Sequence, residues 1–493
     1  MNTYINNKNR ISYIVKTRRL LLLLVPILAV ACSSPSELQK SDSTATNLPS
    51  TYQVGTNFSE VEGRDSSQNI ANIPFDQYFQ DTSLINLIKD GLAYNNDLLA
   101  AINRLDIAEA NVKQAKLLQL PTLSVGAEGN YNRLSDNGLT GSNTTQQGGA
   151  HHYEDYTLQA QLSWEADIWG KIRNRQKYEL ADYLKTVEAS QAVRTQVIAS
   201  IARGYYNLLI LERQYEIARS SLLLADSTLE LTRLLKNAGK ANQLSVQQTA
   251  AQRETVALLL PELEDQIARQ QNALMVLTGK FPGRIGDHEQ LSKGLLPTLI
   301  QTGTPAEILN NRPDVRQAEQ ELKMAISRIG IAKANLYPSL RITAFGGVES
   351  LKTSNWFNVP ASLFGVVTGS LLQPVFQQGA LKRDYKVANL EKEGAVINFR
   401  STVLHAITEV SDVLTHYQKL NDQSQMASRQ VDTLQQGATN ASLLYRSGLA
   451  NYLEVINAQN SALQAELNLA SIHGRELIAT VDLYRSLGGG RAM

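Results

Sequence analysis

Cys32 is the single cysteine of the 493-residue chain, and it directly follows Ala29-Val30-Ala31. A thiol after such small residues has one evident chemistry: a peptidase can reach the preceding bond, and the sulfur can carry a thioether-linked lipid. One cysteine excludes an internal disulfide framework and any cysteine-built metal site. The other reactive side chains do not converge. His151 and His152 adjoin, whereas His288, His405, His416 and His473 are scattered, with no HExxH pair and no nucleophile elbow. Glu165 and Asp167 are two apart, which on a strand places both on one face; they read as charge lining a polar surface. Phosphate loops and dinucleotide fingerprints are missing, so no enzymatic activity, metal or cofactor is expected beyond the lipid.

The segment ahead of Cys32 fits that reading. Lys8, Arg10, Lys16, Arg18 and Arg19 precede an apolar run over 20–31, only 12 residues long, well short of the roughly 20 needed to span a bilayer as a helix. The ending resembles a bacterial lipobox. Residues 1–31 are therefore expected to be a lipoprotein signal peptide, with N-acyl and S-diacylglycerol groups on Cys32. Three acyl chains, at about 0.8 kcal/mol per buried methylene, hold a protein on a membrane. Ser33 and Ser34 stand where an aspartate would favour inner-membrane retention, which points to the outer membrane. Residues 32–83 read as a lipidated, extended segment, rich in Ser, Thr, Asn and Gln. Net charge is +1, from 47 basic and 46 acidic residues, so no global field favours nucleic acid.

The mature chain is a duplication. Asp97 aligns with Asp314, Ala101 with Ala318, and Pro121-Thr122-Leu123 with Pro338-Ser339-Leu340, all at an offset of 217. Beyond that, Leu162 pairs with Leu371, Gly170 with Gly379, Gly239 with Gly448 and Val246 with Val455, at an offset of 209. The change marks a longer, tolerant loop between Pro121 and Leu162. The first repeat, 84–283, is predicted to hold a helix over 84–119, strands at about 121–131 and 155–168, a long helix over 171–238 and a return helix over 242–278. An equatorial connector follows at 284–305. The second repeat, 306–493, holds a helix over 306–336, strands at about 339–348 and 366–376, a long helix over 380–446 and a return helix over 449–487. Each proline-free long helix reaches roughly 100 Å at 1.5 Å per residue, and two half-length helices placed end to end match it. The return helices carry a 3-4 apolar spacing (Val256, Leu260, Leu263, Ile267, Leu274, Leu277; Leu453, Ile456, Leu463, Leu467, Leu477, Val481, Tyr484). That is a coiled-coil seam among polar residues, suited to a hollow, wetted helical barrel or to a plain periplasmic scaffold.

The strands bear on that choice. Tyr156, Leu158, Ala160, Leu162, Trp164, Ala166 and Ile168 alternate with polar residues, and Leu123, Val125, Ala127 and Tyr131 do the same. Strands of about ten residues, tilted, cross an apolar band of about 25 Å with a polar lumen behind. Four strands cannot close a barrel, and an open edge leaves backbone groups unpaired in lipid. The chain must then oligomerise, with at least two copies.

Five stretches carry a family resemblance: LAVAC ending at Cys32, LSWEADIWGKIR at 162–173, NNRPDVRQAE at 310–319, LLQPVFQQGALK at 371–382 and YRSGLANYLEVINA at 445–458. With them the chain resembles the TolC-type outer-membrane factors, in the lipidated branch serving resistance-nodulation-division efflux pumps. The resemblance implies a mixed α and β membrane protein: a homotrimer with a 12-stranded transmembrane β-barrel, four strands per chain, continuous with a long periplasmic α-helical barrel. It implies a passive exit duct for small molecules such as drugs, docking with a periplasmic adaptor and an inner-membrane efflux pump. A type I secretion duct and a non-conducting scaffold lipoprotein are the alternatives. It further implies adaptor-contact tips at Gly239 and at Gly448-Leu449-Ala450, Lys240 departing from the pattern at the first. Glu454, Asn457 and Tyr445 match its entrance constriction.

Overall fold

A computed structural model describes residues 73–135, 137–138, 152–286, 290–291 and 305–491. Cys32, the signal segment and most of the 284–305 connector lie outside the described residues. The first repeat runs α1 (Phe75–Tyr78), α2 (Thr82–Tyr94), α3 (Asn96–Leu117), β1 (Thr122–Arg133), β2 (His152–Ala166), α4 (Lys171–Asn237), α5 (Gln243–Ala257) and α6 (Leu259–Leu277). The second runs α7 (Ile308–Asn311), α8 (Pro313–Ala334), β3 (Ser339–Ser350), β4 (Leu363–Leu372), α9 (Ala380–Arg446) and α10 (Tyr452–Ser486).

The duplication holds residue by residue. Helices α3 and α8 are both 22 residues long and start 217 apart; β1 and β3 are both 12 residues and start 217 apart. The two long helices α4 and α9 are both 67 residues and start 209 apart. Strand pairing repeats as well. Thr122 faces Ser163 in β1–β2, and Ser339 faces Leu372 in β3–β4, the same pair after adding 217 and 209. All neighbouring strands are antiparallel, in the order β1-β2-β3-β4.

Three expected helices are interrupted, each for a local reason. The 242–278 helix is two helices meeting at Leu258, because Pro261 lacks the N–H that would bond the Ala257 carbonyl four residues back. The 84–119 helix breaks at Asn95, whose side chain accepts from the N–H groups of Asp97 and Leu98, each at 3.0 Å, and so starts α3 anew. The 306–336 helix breaks at Arg312, held extended at φ −79° and ψ 123° by the following Pro313.

Helices lie side by side along α4. Toward the sheet, the neighbours run α3, α4, α8, α9; away from it they run α5–α6, α4, α10, α9. One edge of the chain is therefore β1 with α3, α5 and α6, and the other is β4 with α9. The core sits midway along α4, where Ile198, Ile201, Tyr205, Tyr206, Leu208 and Leu209 are buried. Gly474 of α10 lies so close to Ile210 there that a Cβ would overlap that side chain. On the return helices Val256, Leu263 and Leu274, and then Leu463, Leu477, Val481 and Tyr484, are buried along the expected stripe. Leu453 is exposed, however, and the second stripe begins at Val455 and Ile456, one turn after the helix start.

Candidate functional site

Both long helices end in the same turn. Gly239 and Gly448 take φ 75° and 78°, the left-handed region that glycine enters without a Cβ penalty. That bend lets Lys240 N–H reach the Leu235 carbonyl at 2.8 Å and Leu449 N–H reach that of Leu444 at 2.9 Å, closing each helix C-terminus. Three residues after each glycine an asparagine starts the return helix. Asn242 Oδ1 accepts from Ser245 N–H at 2.8 Å, and Asn451 Oδ1 accepts from Leu453 N–H at 2.9 Å. The two caps were not read from sequence; the repeated Gly-x-Ala-Asn was their signal. A Cβ at either glycine would meet open space. Leu449 is 77 % exposed, Ala450 is half-buried beside it, and Lys240 stands exposed at the first turn where Leu449 stands at the second.

The expected entrance residues divide. Glu454 and Asn457 are exposed, one turn apart on α10, and Glu454 Oε1 accepts from Asn451 Nδ2 at 3.1 Å. Tyr445 is buried away from them, its hydroxyl donating to Thr232 Oγ1 at 3.1 Å. Above it, Gln459 Nε2 donates to Thr228 Oγ1 at 3.0 Å, and Gln252 and Tyr452 bond Asn460 and Gln248. These rungs tie α4, α5, α9 and α10 together without a formal charge.

At mid-height the chemistry changes. The Arg312 guanidinium, 7 % exposed at the residue level, donates to Asp314 at 3.0 and 2.7 Å and to the Ser486 carbonyl at 2.6 Å. It also pairs with Glu409 at 2.7 Å, which in turn bonds Arg485. One clasp thus joins the starts of α8, the middle of α9 and the end of α10. Burial works against the charges, yet the Arg312 partnership outweighs it and holds the carboxyls of Asp314 and Glu409 below their ordinary values; Arg485 assists at Glu409. Burial likewise lowers Arg312, but Asp314 and Glu409 raise it on balance. Beside the clasp, Tyr78 stacks on Tyr484 at 4.6 Å, and burial pushes both phenols up.

At the sheet's foot, Asp167 accepts from the N–H groups of Ile172 and Arg173 at 2.9 and 3.0 Å, capping α4. Glu165 pairs with Lys171 at 2.9 Å and faces Arg341 at 3.7 Å. The carboxylate pair serves the strand-to-helix joint. Among the described residues no helix is long and apolar enough to cross a membrane, and no group of three or more His, Cys, Asp or Glu could hold a metal. The strands present an exposed apolar face of their own: Leu123, Val125, Val367 and Leu371.

The outer membrane efflux protein family matches residues 87–280 and 304–489, one stretch per repeat. The chain belongs to the outer membrane efflux protein family. Among its relatives, the cation efflux system protein CusC of Escherichia coli strain K12 is 25% identical over 473 residues, covering 96% of this chain and 99% of that protein. The toluene efflux pump outer membrane protein TtgF of Pseudomonas putida is 29% identical over 429 residues, covering 87% of each. The probable outer membrane lipoprotein SilC of Salmonella typhimurium is 26% identical over 415 residues, covering 84% of this chain and 87% of that one. A crystal structure of CusC superposes with a TM-score of 0.79 at 25% identity, covering 85% of this chain and 95% of that one. The OprN outer-membrane channel shares the fold with a TM-score of 0.80 at 24% identity, covering 90% and 98%. This family member is thus an outer-membrane channel component of a tripartite efflux system, reaching into the periplasm.

Proposed function

We propose that three copies form a passive exit duct for small molecules, anchored in the outer membrane by twelve strands and by lipid on Cys32. The observation that carries this reading is the four-stranded sheet, apolar on one face and open at β1 and β4, set on helices of about 100 Å. A lipid-exposed edge has to be paired, and three such sheets give an even-stranded barrel above eight. The Gly239 turn and the Gly448-Leu449-Ala450 turn are the tips that meet a periplasmic adaptor, and an inner-membrane pump supplies energy and chooses the cargo. Relatives named for cations and for toluene favour a duct that leaves selection to its pump.

Glu454 and Asn457 face the closed entrance. A ring of three Glu454 carboxylates attracts cations, while Tyr445 holds the tip of α9 on α4. The test is planar-bilayer recording of the purified full-length protein. Conductance with a cation preference is expected, and Glu454→Ala should move the reversal potential toward zero. Absence of any conductance would sink the duct; an unchanged reversal potential would remove Glu454 from the entrance.

A further inference from the structure

Three side chains break the alternation that the rest of the sheet obeys. The strand register puts Leu340, Ile342, Ala344 and Val348 of β3 on the same face as Val367 and Leu371 of β4, the exposed apolar face. The other face of β3 reads Ser339, Arg341, Thr343 and then Phe345, with Val366 of β4 directly opposite Phe345 and Phe364 one diagonal step beyond. The rings of Phe345 and Phe364 lie 6.4 Å apart, inclined at 60°, and Val366 is 42 % exposed. Gln159 and Gln161 of β2 border them. An apolar island on an otherwise polar face calls for a partner.

The surroundings give that partner its charge. Glu349 is exposed on the same face, and its N–H bonds the Ser362 carbonyl at 2.8 Å. That sets it diagonally from Phe364, a step of about 7–8 Å between strands. Between Phe345 and Glu349 stands Gly347, where a Cβ would overlap the Leu158 carbonyl, so the gap between rings and carboxylate stays open. Glu128 and Asp155 lie on the same face of β1 and β2. Among the described strand residues the cation on this face is Arg341, and it already faces Glu165 at 3.7 Å. A phenyl face attracts a cation laid over it, and a carboxylate one step away adds to that pull. An anion is repelled, and a neutral apolar molecule leaves the carboxylate unused.

Resting on the duct reading above, in which this face lines the lumen, we propose that Phe345, Phe364, Val366 and Glu349 form a binding site for an aromatic organic cation in the wall of the barrel. The rings of the cation cover the apolar island, and its charge sits toward Glu349. Three copies bring three such sites to one height. A departing molecule of this class pauses there while small hydrated ions pass. The wall retards one kind of cargo without choosing it, which leaves selection with the pump.

Planar-bilayer recording of the full-length protein tests this, with ethidium as the aromatic cation. Ethidium should interrupt the current in brief, concentration-dependent blockades. Tetraethylammonium, a cation without rings, and naphthalenesulfonate, an aromatic anion, should not do so at the same concentration. Phe345→Leu with Phe364→Leu keeps the apolar volume and removes both rings, and it should raise the blocking concentration about tenfold. Glu349→Gln should raise it roughly two- to threefold, and Val367→Ala, on the opposite face, should not move it. If the leucine pair fails to insert, Phe364→Leu alone gives the same reading at roughly threefold. Conductance without ethidium blockades, equal block by all three probes, or block unmoved in the leucine variants would overturn the site while leaving the duct standing. If the unmodified protein passes no current, the duct reading fails first.

Discussion

The equator and the tips are built from the same duplicated helices, yet they differ in how much buried charge holds them. At mid-height, Arg312, Asp314, Glu409 and Arg485 form a charged clasp closed over the end of α10. Toward the tips, Tyr445, Thr232, Gln459, Thr228, Gln252 and Asn460 exchange neutral hydrogen bonds, and the ion pair among them, Arg253 with Asp226 at 2.9 Å, is open to water on both sides. A buried charge that loses its partner is left uncompensated, so the clasp strongly resists opening. A neutral rung contributes only about 0.5–1.5 kcal/mol net, and opening it leaves no bare charge behind. The difference teaches where a duct of this design can move: the tips can part while the equator stays whole.

The largest break in that contrast is Arg312→Met. It strands Glu409 with Arg485 alone and leaves the α10 carbonyl at Ser486 without its donor, a loss of about 1–3 kcal/mol, read as a lower thermal midpoint of the detergent-solubilised protein. Adding Glu409→Gln should recover part of it; no recovery would mean that the clasp is not one unit. Acid probes the same place. Asp314 and Glu409 titrate below their ordinary values when folded. Their contribution is therefore fully present above the unfolded values near pH 4–4.5 and is lost as pH falls through the folded ones. The melting midpoint should drop on acidification below about pH 4.5, and it should drop less steeply in Glu409→Gln. Equal slopes would exclude Glu409 as a source.

Smaller effects are expected at the tips. Gly448→Ala forces an L-residue into a left-handed turn, at about 1–2 kcal/mol, without touching a neighbour. Conductance should become noisier as the turn frays, with the melting midpoint nearly unmoved; a large midpoint loss would contradict the division between equator and tips. Thr232→Val removes the acceptor of Tyr445 at about 1 kcal/mol. It should raise the open fraction in bilayer recordings and leave stability intact, and unchanged gating would make that rung ornamental.

Much of the fold could be read from sequence because duplication states each element twice. Gly170 and Gly379, and Gly239 and Gly448, bracket helices of equal length, and their positive φ values show why glycine stands at all four. The interruptions at Asn95 and Leu258 escaped because apolar residues recur at helical spacing on both sides of them, and the one at Arg312 because a single polar turn, 310–312, separates two helical stretches; Pro261 and Pro313 were the visible cues. Arg312 was quoted within NNRPDVRQAE, but its clasp was not legible, because Glu409 lies on another helix and no local pattern links the two. The entrance was half legible. Glu454 and Asn457 share an exposed face, whereas Tyr445 turns inward to a threonine that spacing could not single out.

Pro261 has no counterpart in the second repeat, where α10 runs unbroken from Tyr452 to Ser486. In the proposed trimer six hairpins alternate around the axis, bent with Lys240 at the tip and straight with Leu449. What begins as a near-sixfold ring is therefore strictly threefold where it meets its collar. An encircling protein meets two kinds of address in turn, one cationic and one greasy, and a surface made for either is wrong for its neighbour.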